Sequence, residues 1–211
     1  KLLLKLSIPT VIAQLINMLY NIVDRIYIGH IPGEGSLALT GVGVCMPIIM
    51  IVSAFAALVS SGGAPRASIY MGKQDNDSAE QILGNCFSLQ IVVSLFLTVI
   101  LLIFGKDLLL AFGASENTIG YATDYMRIYA FGTLFVQLTL GMNAFVTAQG
   151  FTKISMLSVL IGAICNIVLD PVFIFGFHMG VKGAAAATVI GQIASCAMTV
   201  LYFKKPKSFT F

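Results

Sequence analysis

The chain has 211 residues, of which 58% are apolar and 10% charged, where a soluble domain carries about 45–50% and about 25%. Twelve basic and nine acidic residues are too few to cover a water-soluble fold of this size, so the composition points to a protein that crosses a bilayer several times. A net charge of +3, thinly spread, excludes a nucleic-acid partner.

A helix needs about 20 apolar residues to cross a hydrocarbon core of about 30 Å. Six such runs follow one another, at 8–28, 37–60, 82–104, 121–146, 155–177 and 183–203. They predict an all-α membrane bundle of six helices; barrel strands would instead alternate with period two in runs of about ten. No small-residue cleavage site follows a short apolar core, so the first run reads as a span and not as a removable signal. Gly29 to Gly35 is a turn by its Gly and Pro content. Pro47 and the run Ser60 to Pro65 are expected to bend span 2 or to pack it closely. Lys73 to Glu80 is the most hydrophilic loop, and its Asp and Ser suit the capping of span 3. Gly105 to Glu116, Gly150 to Lys153 and Phe177 to Lys182 are read as the remaining loops. The four cysteines, Cys45, Cys86, Cys165 and Cys196, are far apart and form no Cys-x-x-Cys, so they are expected to be packing thiols.

Basic residues set the expected orientation. Lys1, Lys5, Arg66, Lys73, Lys153, Lys204, Lys205 and Lys207 fall on the N-terminal side, and Lys106 and Lys182 on the other. Both ends are therefore expected in the cytoplasm of a cell-membrane protein.

The spans are not uniformly apolar. Span 1 carries Thr10, Gln14, Asn17, Asn21 and Asp24 at helical spacing, which is one face. Span 5 carries Ser155, Ser158, Gly162, Asn166 and Asp170, and span 6 Thr188, Gln192, Ser195 and Thr199. Three polar stripes that meet would line a cavity. At 1.5 Å per residue, Asp24 lies about 9 Å, Asp170 about 6 Å and Thr188 about 7 Å to the outer side of their span centres. Asn166 sits near the midplane, and Tyr129 in span 4 falls at a similar outer depth.

A charge at the bilayer centre costs about 2.5–3.5 kcal/mol on insertion scales, so two carboxylates at one level call for a function. Together they bind a proton or a hard cation, because carboxylate, amide and hydroxyl oxygens suit such ions. Asp24, Asn166, Asp170 and Thr188 are thus a candidate H⁺ or Na⁺ coupling site, with Gln14, Asn17, Asn21 and Tyr129 as a supporting polar face. No other metal and no cofactor is expected. Ser155, Ser158, Ser195 and Thr199 are read as interhelical packing groups, each worth about 0.6 kcal/mol. Asp124 and Arg127, three residues apart, are read as a rim ion pair, and Arg25 as pairing with an acid or reaching outward. His30 and His178 fall in outer turns.

Signatures of enzymes are absent: there is no Gly-x-Ser-x-Gly, no His-Glu-x-x-His and no phosphate-binding loop. An intramembrane aspartyl protease also uses two aspartates, but would place Gly-x-Gly before one of them; Ile22-Val23 and Val168-Leu169 stand there instead.

Several segments resemble the multidrug and toxic compound extrusion (MATE) transporters. They are Ile8-Pro9-Thr10 through Tyr20-Asn21-Ile22-Val23-Asp24-Arg25-Ile26-Tyr27-Ile28-Gly29, Ser60-Ser61-Gly62-Gly63-Ala64, Asn166-Ile167-Val168-Leu169-Asp170-Pro171, and Gly180-Val181-Lys182-Gly183-Ala184-Ala185-Ala186-Ala187-Thr188. Their order covers the whole chain. The resemblance implies twelve helices in two lobes around a cleft, with 1–203 as the N-terminal lobe and 204–211 as the start of a cytoplasmic linker to a second lobe. It implies that Asp24, Asn166, Asp170 and Thr188 bind the coupling ion of an exporter of amphipathic, often cationic compounds. Two other readings are a flippase for lipid-linked precursors, which would set Arg or Lys in the cleft, and a membrane scaffold or channel subunit.

Overall fold

A computed structural model describes residues 2–204, with side chains from Ser7 onward. Lys1, Lys205, Lys207, the Lys5 side chain and all but the first residue of the expected linker lie outside the described residues. The elements are α1 (Leu2–Gly29), α2 (Gly35–Gly72), α3 (Asn76–Ala111), α4 (Ile119–Ala148), α5 (Thr152–Pro171), a π-helical turn (Val172–Gly176) and α6 (Val181–Phe203). No strand occurs among them.

Five of the six expected spans each fall inside one helix, whereas 155–177 runs from α5 through the π-helical turn to Phe177; α2 and α3 are much longer than the bilayer requires. At 1.5 Å per residue the 38 residues of α2 reach about 57 Å. The stretch from Gly105 to Ala111, expected as loop, is the last two turns of α3. Leu108 and Leu109 keep its apolar face in register there, and Leu109 is buried. α2 runs unbroken through Pro47 and Pro65. Asp75 caps α3: its Oδ1 accepts the Ser78 amide at 3.1 Å and its Oδ2 the Ser78 hydroxyl at 2.7 Å. These two bonds hold the Asp75 carboxyl below its usual range.

Five helices are long and apolar enough to cross a membrane among the described residues, and α1 is not one of them. Its stripe of Gln14, Asn17, Asn21, Asp24 and Arg25 dilutes its apolar run. Of the five, α4 is the least apolar and the most buried, with 61% of its membrane window enclosed against 22% for α3. α4 is the hub, packed against α2, α3 and α6, while α1 leans chiefly on α5. A helix shielded from lipid by its neighbours can carry polar groups; a lipid-facing helix cannot. Accordingly α3 presents Leu95, Phe96, Val99 and Ile103 outward, all more than half exposed.

Two buried glutamines tie the hub to its neighbours. Gln90 on α3 donates to the Ala56 carbonyl at 3.3 Å, and Gln137 on α4 to the Val52 carbonyl at 2.7 Å. Both are fully buried. Gln90 fits because Gly141 on α4 has no side chain; a β-carbon there would collide with its carboxamide.

At the end of the bundle where α4 and α6 begin, Asp124 pairs with Lys182 at 3.4 Å and not with the expected Arg127. Lys182 begins α6, which the bundle brings beside α4; the i, i+3 neighbour on the same helix loses to it. Arg25 is exposed, and His30 bonds the Ile26 carbonyl of its own helix at 2.7 Å. All four cysteines are free, with Cys45 and Cys196 buried.

Candidate functional site

The three polar stripes do meet. The approach of α5 to α6 is set by two glycines: a β-carbon on Gly162 would stand 2.9 Å from the Gly191 carbonyl oxygen, and one on Gly191 2.7 Å from that of Gly162. With the two backbones this close, Asn166 lies within reach of α6. Its Nδ2 donates to the Thr188 Oγ1 at 3.3 Å and to the Asp170 Oδ1, one turn along α5, also at 3.3 Å. Asp170 is fully buried and Asn166 nearly so.

Asp24 comes from α1. It is 7% exposed, and its carboxyl faces that of Asp170 within hydrogen-bonding reach. The four residues expected to act together on sequence grounds are therefore in one place: Asp24 against Asp170, Asp170 bonded to Asn166, Asn166 bonded to Thr188. Three oxygens of this cluster, Asp24 Oδ1, Asp170 Oδ2 and Asn166 Oδ1, are buried with no partner among the described residues. All three are acceptors. What the cluster lacks is a donor or a cation, and either one would satisfy them.

The supporting residues divide. Gln14 and Asn17 line a cavity of about 380 Å³ enclosed by α1, α4, α5 and α6, together with Tyr20 and Gln192. Asn166 and Thr188 line it too, whereas Asp24 and Asp170 do not. The Asn166–Thr188 pair is thus a shared wall, with the cavity on one side and the two carboxyls on the other. Asn21 spends its amide on the Asn17 carbonyl at 2.7 Å, within α1. Tyr129 is buried outside the cavity wall, stacked on Tyr125 with ring centroids 6.3 Å apart.

Tyr125, which sequence reasoning passed over, is the tyrosine nearer the site. Its hydroxyl lies within reach of Thr188, and Asp24 is close enough to act on it electrostatically. It sits one helical turn before Tyr129, on the same face of α4, so helix period and depth together were the available signal. Asn143 on α4 was also passed over. Its Oδ1 accepts Ser158 of α5 at 3.0 Å and Thr199 of α6 at 3.5 Å, which makes those hydroxyls packing groups, as expected.

Past Asp170 the α5 ladder changes. Pro171 has no amide to donate, and the chain widens into the π-helical turn Val172–Gly176 before leaving the helix. Such turns are rare and concentrate at functional sites. The sequence reading treated 155–177 as a single uniform span.

Known proteins match this architecture along its length. A family model described as MatE matches residues 9–172. The chain is 30% identical over 205 residues to a multidrug export protein MepA of Staphylococcus haemolyticus, a match that covers 97% of this chain and 45% of that protein. A crystal structure of a MATE protein in a bent conformation superposes with a TM-score of 0.91 at 26% identity, over 100% of this chain and 47% of the other. An outward-facing multidrug resistance MATE transporter of the MOP superfamily gives the same score and identity, over 100% and 47%. The chain spans about half the length of the relatives it matches. With its helical membrane fold and a match across most of its length, the chain belongs to the MatE family.

Proposed function

We propose that this chain is the ion-coupling half of a cation-driven exporter of amphipathic, often cationic compounds. The carrying observation is the set of three unpartnered, buried acceptor oxygens on Asp24, Asp170 and Asn166. Such a set is stable when a proton or Na⁺ joins it and strained when it is bare, since two carboxylates in low dielectric repel each other. Asp24 and Asp170 would hold the ion. Asn166, fixed by Thr188, would hold Asp170 in register and pass its occupancy to the cavity wall. Because Asp24 stands on α1 and Asp170 on α5, ion binding would draw two helices together that otherwise repel at this level. Substrate would leave outward as the ion enters.

Multidrug export by MepA relatives supports the substrate class. A second, C-terminal lobe of the same polypeptide would complete the cleft, as the half-length matches suggest. Both ends of this lobe would lie in the cytoplasm. The cavity wall contains neither Arg nor Lys, which argues against a flippase for anionic head groups.

The test is efflux of a fluorescent lipophilic cation from cells expressing the full-length transporter, wild type against Asp24→Asn. Loss of efflux at normal membrane abundance supports coupling at Asp24. Full efflux by the variant places coupling elsewhere and overturns the proposal.

A further inference from the structure

A second cavity, of about 570 Å³, opens at the surface between the end of α2 and the start of α3. Its composition is graded along its length. Toward the helix ends it presents Arg66, Tyr70, Gln81 and Asn85; toward the bilayer it presents Leu58 and Leu89, both at least half exposed. The floor between them is Gly62 and Gly63. Gly63 lies so close to Cys86 and Phe145 that a β-carbon would collide with both side chains, whereas a β-carbon on Gly62 would meet nothing within 4 Å. One glycine seats the helices together and the next leaves the groove open.

Among the described residues, the side-chain donors of Arg66, Gln81 and Asn85 are not spent: Arg66 has no ion-pair partner, and the side-chain amides of Gln81 and Asn85 make no hydrogen bond. The acids at this end of α3, Asp77 and Glu80, do not line the groove. A nearby cation, Lys73, lies over the Tyr70 ring at 5.5 Å. Arg66 stands six residues beyond the apolar run 37–60, about 9 Å past the hydrocarbon edge. The headgroup layer adds about 5–8 Å to each side of the core, so the Arg66 backbone stands at its aqueous border, from which a long side chain reaches back to the phosphates. The guanidinium fork and neighbouring amides match phosphate oxygens, and the Leu58–Leu89 end matches an acyl chain.

We propose that this groove binds one anionic phospholipid of the inner leaflet, its phosphate on Arg66, Gln81 and Asn85 and one acyl chain along Leu58 and Leu89. A cation on the membrane surface attracts anionic lipid without any site, so the proposal requires more than charge. It requires one cation among several to dominate, and it requires the lipid tail.

The experiment is thermal unfolding of the full-length transporter in detergent, with and without phosphatidylglycerol, phosphatidylcholine of the same chains, or inorganic phosphate. Phosphatidylglycerol is expected to raise the melting temperature by several degrees, and the other two to have little effect. Arg66→Gln is expected to lose most of that rise. Lys153→Gln, an exposed cation at the same end of the bundle, is expected to keep it. Asn85→Asp, exposed and tolerant of change, is expected to lose it through repulsion and serves if Arg66→Gln does not accumulate. An undiminished rise in both groove variants overturns the proposal. So does an equal loss in Lys153→Gln, which means general surface attraction, or a full rise with phosphate alone, which means an anion site without a lipid. Binding is read without transport, so the result stands apart from the fate of the coupling proposal.

Discussion

The bundle divides into two triads that handle buried polarity in opposite ways. In α2, α3 and α4, each buried glutamine donates its amide to a carbonyl of a neighbouring helix, with Gly141 making room for Gln90, and leaves only its own amide oxygen unpartnered. In α1, α5 and α6, polar side chains line an open cavity, and two carboxyl oxygens stand unpartnered together with the amide oxygens of Asn166 and Gln192. Both patterns place amides and hydroxyls inside a membrane. The first uses its amide donors as scaffold; the second gathers acceptors, two of them carboxyls from different helices, in one place. Under the proposed ion coupling, one triad would stay and the other would change.

That contrast is open to attack, most strongly at Asp170. Asp170→Asn in the full-length transporter is expected to cut efflux by roughly tenfold or more, a change of about 1.4 kcal/mol or above, with normal abundance in the membrane. If efflux survives, the second triad is scaffold as well. Next in size is Gly141→Val, which drives Gln90 from its bond to Ala56. Losing that buried bond is expected to cost about 1–3 kcal/mol of stability, read by unfolding in detergent, while efflux per folded molecule holds. A variant that keeps its stability but loses transport would erase the division between the triads.

A smaller effect separates the two stacked tyrosines. Tyr125→Phe is expected to weaken ion-dependent efflux severalfold, because it removes the hydroxyl nearest Thr188; one hydrogen bond is worth about 0.5–1.5 kcal/mol. Tyr129→Phe should leave efflux unchanged. Measuring efflux against imposed ion gradients compares the two directly. The smallest effect lies outside the membrane, at the α3 cap. Since the folded state depresses the Asp75 pKa, the cap contributes stability above the unfolded value of about 3.9. That contribution fades as pH falls through the lower folded value. Proteolysis of the α2–α3 turn is expected to speed up in that range, and to lose its pH dependence there in Asp75→Asn.

Sequence periodicity carried the Asp24–Asp170 cluster further than it carried the scaffold. The stripe from Thr10 to Asp24 repeats every three or four residues, and repetition is what a single chain can display. Depth along a helix then brought Asp24, Asp170 and Thr188 to one level. The Gly162–Gly191 approach that joins them has no such signature, because each glycine looks like any other until the helices are paired. Gln90 and Gln137 were invisible for a related reason: a lone polar residue in an apolar run has no period. The rim pair failed because i, i+3 spacing speaks only of one helix, and Lys182 arrives from another. The π-helical turn after Asp170 follows a proline, but a proline alone does not distinguish a widened turn from a helix end.

The burial pattern also bears on how the chain is made. Synthesis runs from α1 to α6, and the strongly apolar α2 and α3 precede α4, the least apolar of the five spans. When α4 leaves the ribosome, the carbonyl that receives Gln137 and the side chain that fills the space at Gly141 are already in the bilayer. The first helix has no such help. Its main neighbour is α5, more than a hundred residues downstream, so the polar stripe that ends in Asp24 enters the membrane ahead of the helices that cover it. The first helix to emerge is among the last to be enclosed.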